Sequence, residues 1–231
     1  SLDDLDVDAE GVAARFDDGG ERRYDWAIGA DGVGSTVRQT LGMAYPGYEL
    51  DGDWSVADVD VASGSFADFA AWIQEPGGGF VFAIPIEPAR LRLAASAPDV
   101  LDRLPPEISV ANVRRTGTFR IAVRQAETYR RDRVLLAGDA AHCHSPVGGR
   151  GMNLGIDDGV AAARAILAGD VACYSAARHA AGARILRQSE RARRLVMADD
   201  PLRRLAASLA CAALRNSAAL RSRFLTMLTT L

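Results

Sequence analysis

The chain has 231 residues, 48% of them hydrophobic and 25% charged, with a formal net charge of −3. That is enough apolar material for one large domain or two small ones, and nothing in the total charge calls for nucleic acid. All 27 basic residues are Arg, which excludes chemistry that needs an amine: a Walker-A lysine, a pyridoxal-phosphate Schiff base or a lysine base.

The charge is unevenly spread. Residues 1–70 carry sixteen acids against four Arg, and residues 178–231 carry eleven Arg against three acids. The plain reading is a solvated strand region followed by an Arg-decorated helical region. Cys143, Cys173 and Cys211 form no CxxC, and no signal-peptide pattern is visible in the acidic opening stretch Ser1–Glu10. Both features predict a reduced, cytoplasmic setting. The longest apolar stretch near the C-terminus, Leu205–Leu214, is short of the roughly 20 residues that span a bilayer.

In chain order, Val7, Gly11–Phe16 and the turn Asp17–Gly20 read as a β-hairpin. Trp26–Ala30 is a short apolar strand that ends in Asp31-Gly32-Val33-Gly34-Ser35, and Thr36–Leu41 reads as a short helix. Residues 45–130 predict a β-rich layer with strands at Trp54–Val61, Phe80–Ile86, Leu91–Ala97 and Thr118–Val123. Gly77-Gly78-Gly79 and Glu87-Pro88 mark turns, and Leu101–Leu104 begins a short helix stopped by Pro105-Pro106. Trp54, Trp72, Phe80 and Phe82 suit the core of this layer better than a substrate pocket. Arg133–Ala137 is a buried strand, a helix starts near Met152, and helical spacing continues to Leu231 with Pro201 at a helix start.

The richest stretch runs from Gly138 to Gly155: Gly138-Asp139-Ala140-Ala141-His142-Cys143-His144-Ser145-Pro146-Val147-Gly148-Gly149-Arg150-Gly151-Met152-Asn153-Leu154-Gly155. A strand ends at an Asp, a glycine-rich loop follows, and a helix opens with free backbone N–H groups. Such a helix start suits an anion or an electron-rich heteroaromatic edge. Glycines let backbone approach a flat ligand closely, and Asp139 at the strand's carboxyl end suits ligand hydroxyls. His142-Cys143-His144 is a poor metal site, because the chain's third His is remote and no acid cluster adjoins. Ser35 has no His and Asp at a hydrolase spacing.

The Gly138–Gly155 stretch resembles the GD motif of the group A FAD-dependent aromatic hydroxylases, the para-hydroxybenzoate hydroxylase-like flavoprotein monooxygenases. Gly29–Arg38 is similar to the family's DG motif. The resemblance implies an α/β fold: a partial FAD-binding, Rossmann-like three-layer domain with an inserted β-rich substrate layer and a helical C-terminus. Its division would be 1–44 (DG motif), 45–130 (substrate layer) and 131–231 (GD motif and helices).

The implied activity is hydroxylation of an organic, aromatic or polyketide-like substrate with FAD, NAD(P)H as reductant and O₂. A flavin reductase of the same fold and a non-catalytic remnant are the alternatives. By position, Gly138 and Asp139 would serve the ribityl chain, and Pro146 would lie at the reactive face of the ring. Gly148, Gly149, Gly151, Met152 and Asn153 would meet the ring edge. Asp31, Gly32 and Arg38 would serve the edge shared by FAD and NAD(P)H pyrophosphate. The family opens with GxGxxG, and this chain contains none. The resemblance therefore implies an N-terminally truncated chain that lacks an upstream FAD-binding segment.

Overall fold

The computed structural model describes residues 1–62, 71–74, 79–104, 106, 108–147, 149–197 and 200–229. Gly77, Gly78, Pro105 and Gly148 lie outside the described residues. The chain divides into two compact units, one of residues 1–48, 122–190 and 223–231, the other of residues 49–121 and 191–222.

The first unit opens with an antiparallel meander of β1 (Leu2–Val7), β2 (Val12–Phe16) and β3 (Glu21–Tyr24). Alternation along β1 and β2 sends Leu5, Val12 and Ala14 into the core. Strand β4 (Ala27–Gly29) leads into helix α1 (Thr36–Thr40), and β5 (Gly47–Glu49) follows. Gly29 is tightly placed: a Cβ there would lie 2.7 Å from the Val37 Cγ1, so only glycine lets α1 fold back on the strand.

The second unit holds a five-stranded antiparallel sheet in the order β10-β6-β9-β8-β7. Its strands are β6 (Trp54–Val61), β7 (Ala71–Gln74), β8 (Phe80–Glu87), β9 (Arg90–Ala95) and β10 (Val110–Phe119). One face of β6, β8 and β9 supplies Ala57, Val59, Val81, Ala83, Leu91 and Leu93 to a core. The other face carries a charged ladder. Arg92 meets Asp58 through two 2.8 Å bonds, and Arg114 and Arg90 both meet Asp60. The Arg114 guanidinium holds the Asp60 carboxyl down to about 2. Trp54 and Phe80 are buried edge to face, 5.2 Å apart, in keeping with a core role; the side chain of Trp72 lies outside the described residues.

Back in the first unit come β11 (Ala122–Gln125), β12 (Arg130–Arg131), β13 (Val134–Leu136) and β14 (His142–Cys143). β13 pairs parallel with β4, and β12 flanks it in the order β12-β13-β4. Val134, Leu135 and Leu136 are wholly buried, as expected of a parallel strand covered on both faces. The remaining helices of the whole chain are α2 (Gly151–Leu167), α3 (Tyr174–Val196), α4 (Pro201–Asn216) and α5 (Ala218–Thr229), of which α2 belongs to the first unit and α4 to the second. None of the described helices is long and apolar enough to cross a membrane.

One predicted strand needs correction. Thr118–Val123 is the end of β10 and the start of β11, broken at Arg120-Ile121. Most of β10 showed no strand pattern because it is exposed from Ala111 to Phe119 and pairs only with β6 at the sheet's edge. Neither face of it demands apolar alternation.

Candidate functional site

Asp31 lies at the start of the loop between β4 and α1, and its carboxylate is turned inward on its own segment. Oδ1 accepts from Ser35 Oγ at 2.5 Å, and Oδ2 accepts from Val37 N at 3.1 Å. Ser35, fully buried, in turn caps α1 by accepting from Arg38 N at 3.0 Å. Gly32 takes φ +83°, which lets the loop double back at low cost.

Arg38, read from sequence as a phosphate-side cation, is 5% exposed. It donates from one terminal nitrogen to Ala140 O (2.9 Å) and from the other to Val33 O (2.7 Å). Its guanidinium lies 3.8 Å from the centre of the Tyr45 ring. The Tyr45 hydroxyl donates to Asp139 O at 2.8 Å. Arg38 and Tyr45 thus form a strut from the DG segment to the GD turn, each holding one carbonyl of that turn.

The GD turn leaves β13 at Gly138, whose φ of +61° suits glycine. A Cβ on Gly155 of α2 would sit 3.2 Å from the Gly138 Cα, so turn and helix approach as two bare backbones. Asp139 is exposed, and its carboxylate has no hydrogen-bond partner among the described residues. Farther on, Ser145 is buried, Pro146 is exposed, and Gly149 N donates to Pro146 O at 2.9 Å in a turn with Gly149 at φ +63°. No side chain caps α2. Its first helical bond is Leu154 N to Arg150 O, which leaves the N–H groups of Gly151, Met152 and Asn153 without intrahelical partners. Met152 is 75% exposed beside them.

Two residues of the loop are insulated instead. Burial pushes the Cys143 thiol up, so it is a poor nucleophile. Burial holds the His144 imidazole below its ordinary 6.5, although its bond to Ser145 O opposes the shift. A histidine depressed in the folded state takes its proton first in the unfolded chain. Its stabilisation is therefore complete above about pH 6.5 and is lost as pH falls through that value. The expected result is that His144→Gln shows a flatter fall in Tm between pH 8 and 5 than the native chain. Parallel curves would refute this.

Sequence reasoning missed three members of this region. Asp158 is wholly buried; its Oδ2 accepts from Gly138 N (3.0 Å) and from the His142 Nε2 (2.6 Å), and its Oδ1 accepts from the Arg178 Nε (2.6 Å). Arg178 also meets Asp157 at 2.6 Å. A signal existed: Leu154, Asp158 and Ala162 share the buried face of α2, and a carboxylate on an apolar stripe needs a partner. Tyr45 carried no such signal, because it lies in an irregular segment.

A strand-end carboxylate without a partner, a glycine turn, and an uncapped helix start next to it define a site for a flat, polar-edged ligand with a hydroxylated chain. This is the arrangement of a flavin-binding domain, and the orphaned N–H groups of α2 with the free Asp139 carboxylate fit that group. The chain belongs to the FAD-binding-domain family, whose model matches residues 2–107 and 96–198. It is similar to a rifampicin monooxygenase of Streptomyces venezuelae, 34% identical over 173 residues, which cover 67% of this chain and 36% of that protein. A pentachlorophenol 4-monooxygenase of Sphingobium chlorophenolicum is 34% identical over 176 residues, covering 67% and 32%. Among solved structures, an anhydrotetracycline hydroxylase from Streptomyces rimosus superposes with a TM-score of 0.75 at 29% identity, covering 99% of this chain and 51% of that one. The chain spans about a third of the length of the curated relatives it matches.

Proposed function

We propose that this chain forms the ring-side part of an FAD-dependent monooxygenase that uses NAD(P)H and O₂ to hydroxylate an aromatic or polyketide-like substrate. The observation that carries the reading is the unpartnered Asp139 carboxylate beside the uncapped start of α2. The names of the relatives support the reaction type. FAD, when bound, would supply the oxygen-activating redox chemistry. The chain's own residues would do the rest. Asp139 would accept hydrogen bonds from ribityl hydroxyls. The N–H groups of Met152 and Asn153 would stabilise negative charge at the ring edge with the α2 dipole. Pro146 and Gly149 would line the ring, as would Gly148, while Asp31 and Gly32 would shape the shared cofactor edge.

The proposed division assigns 1–44 and 131–231 to the FAD domain and 45–130 to the substrate layer; its support is that 1–48 and 122–190 group in one compact unit and 49–121 in the other, although 191–222 group with the latter. The proposal includes a further FAD-binding segment, of the kind that carries GxGxxG, working with this chain. Support comes from Met152, Ile156 and Val160, an exposed apolar stripe at i, i+4, i+8 on α2, and from Ile28, 40% exposed on the outermost strand β4. A cytoplasmic location belongs to the same reading, supported by the free thiols of Cys143 and Cys173.

The test is a visible-absorption titration of the purified chain with FAD. A saturable shift of the flavin bands is expected, with isotope-labelled O₂ then appearing in the product when the chain is joined to such a segment. A flavin spectrum that stays that of free FAD throughout would sink the reading. NAD(P)H oxidation that reduces a substrate double bond without incorporating oxygen would replace hydroxylase with reductase.

A further inference from the structure

The carboxylate of Asp158 has no route to a ligand: it is 0% exposed and entirely engaged within the chain. Its three partners are nonetheless informative. His142 and Gly138 share Oδ2, and Arg178 takes Oδ1, in bonds of 2.6, 3.0 and 2.6 Å. Two of the three, the Arg178 guanidinium and the His142 ring, compensate a charge that burial would otherwise make costly. The third is a backbone amide in the turn itself, one residue before Asp139. If burial were all that was needed at this position, an apolar residue would fill the space, as Leu154 and Ala162 do on the same face of α2. What a carboxylate adds is direction: it fixes where the Gly138 N–H points, and so the angle at which Asp139 leaves β13.

Gly155, one turn earlier on α2, acts on the same turn from the other side. Its missing side chain lets the Gly138 Cα approach to a distance at which an added Cβ would stand at 3.2 Å. His142 belongs to the arrangement too, because its ring is steadied by Tyr129, 5.8 Å away between centroids, whose hydroxyl accepts from the Gln125 Nε2 at 2.8 Å. The network therefore runs from α3 through Arg178 to α2 and into the turn, and it ends at the residue that bears the free carboxylate.

We propose that Asp158, backed by Gly155, is the positioning residue of the cofactor-binding turn, acting on FAD through Gly138 and Asp139. The proposal rests on the reading of Asp139 as a flavin-binding residue. Asp158→Asn keeps the shape and one acceptor but leaves the Arg178 cation and the shared Oδ2 contacts uncompensated.

The experiment measures two things on the 231-residue chain and its variants, well below their melting temperatures. The first is amide hydrogen exchange at Gly138–Ala141 without FAD; the second is the FAD titration with its bound-state spectrum. Expected for Asp158→Asn are exchange at least tenfold faster in this segment, affinity at least tenfold weaker, and a bound spectrum displaced from native. Ala162→Gly, a destabilising change in the same helix away from the turn, is expected to leave affinity and spectrum at native values.

Native exchange in Asp158→Asn overturns the positioning role whatever FAD does. Faster exchange with native affinity and spectrum overturns the link to the cofactor while leaving the flavin reading intact. If the native chain and Asp139→Ala show no FAD signal, the flavin reading fails and the cofactor role of Asp158 fails with it. Should Asp158→Asn not fold, Gly155→Ala presses the same turn without touching the charges. It must move affinity and spectrum in the same direction, and native values for both would overturn the proposal.

Discussion

Replacing Arg38 with Leu is expected to destabilise the chain by about 2–4 kcal/mol. The change strips the donor from Ala140 O, a carbonyl of a fully buried residue, and from Val33 O. An unsatisfied buried acceptor costs about 1–3 kcal/mol. The lost stacking of the guanidinium on Tyr45 adds roughly 0.5–2 kcal/mol. The second carbonyl contributes less, because Val33 is half exposed and water can replace the donor. Arg38→Lys should recover less than half of the loss, since an ammonium cannot present the planar fork that reaches two carbonyls. Urea unfolding midpoints of the three proteins measure this directly. A loss within about 0.5 kcal/mol, the range of neutral surface changes, would show that the strut carries no weight.

Asp139→Ala should behave in the opposite way. Its carboxylate is exposed and bonds to nothing among the described residues, so stability is expected to change by no more than about 0.5 kcal/mol. FAD affinity should fall by tenfold to a hundredfold, the loss of hydrogen bonds to a charged acceptor worth about 1.5–3 kcal/mol. Thermal melts and the FAD titration read the two quantities separately. An Asp139→Ala chain that binds FAD like the native one would remove this residue from the site; one that no longer folds would mean the carboxylate has a structural role. The pair of variants separates a residue that builds the turn from one that uses it.

The two motifs were legible because each is a local statement. Glycine at 138 and 149 answers to backbone angles set within a few residues, and the strand-to-helix sequence around Asp139 follows from a short buried apolar run, a loop and a helical stripe. The same locality recovered β6, β8 and α2, whose apolar positions keep one period along one face. Where an element was exposed on both sides, as in most of β10, the period carried no information and the strand was missed.

The sequence by itself determined the family, the charge of the two ends, the turn and its aspartate, and the order of elements around them. Only the tertiary structure decided what holds the turn. Arg38 and Ala140 are 102 residues apart, Tyr45 and Asp139 are 94 apart, and Gly138 and Asp158 are 20 apart across a loop and a helix. No local pattern encodes such pairings. They arise when β4 and β13 align in parallel and bring the ends of two distant segments together. A buried arginine that binds carbonyls and an arginine that faces a phosphate are written with the same letter; burial and geometry distinguish them, and both are properties of the folded chain.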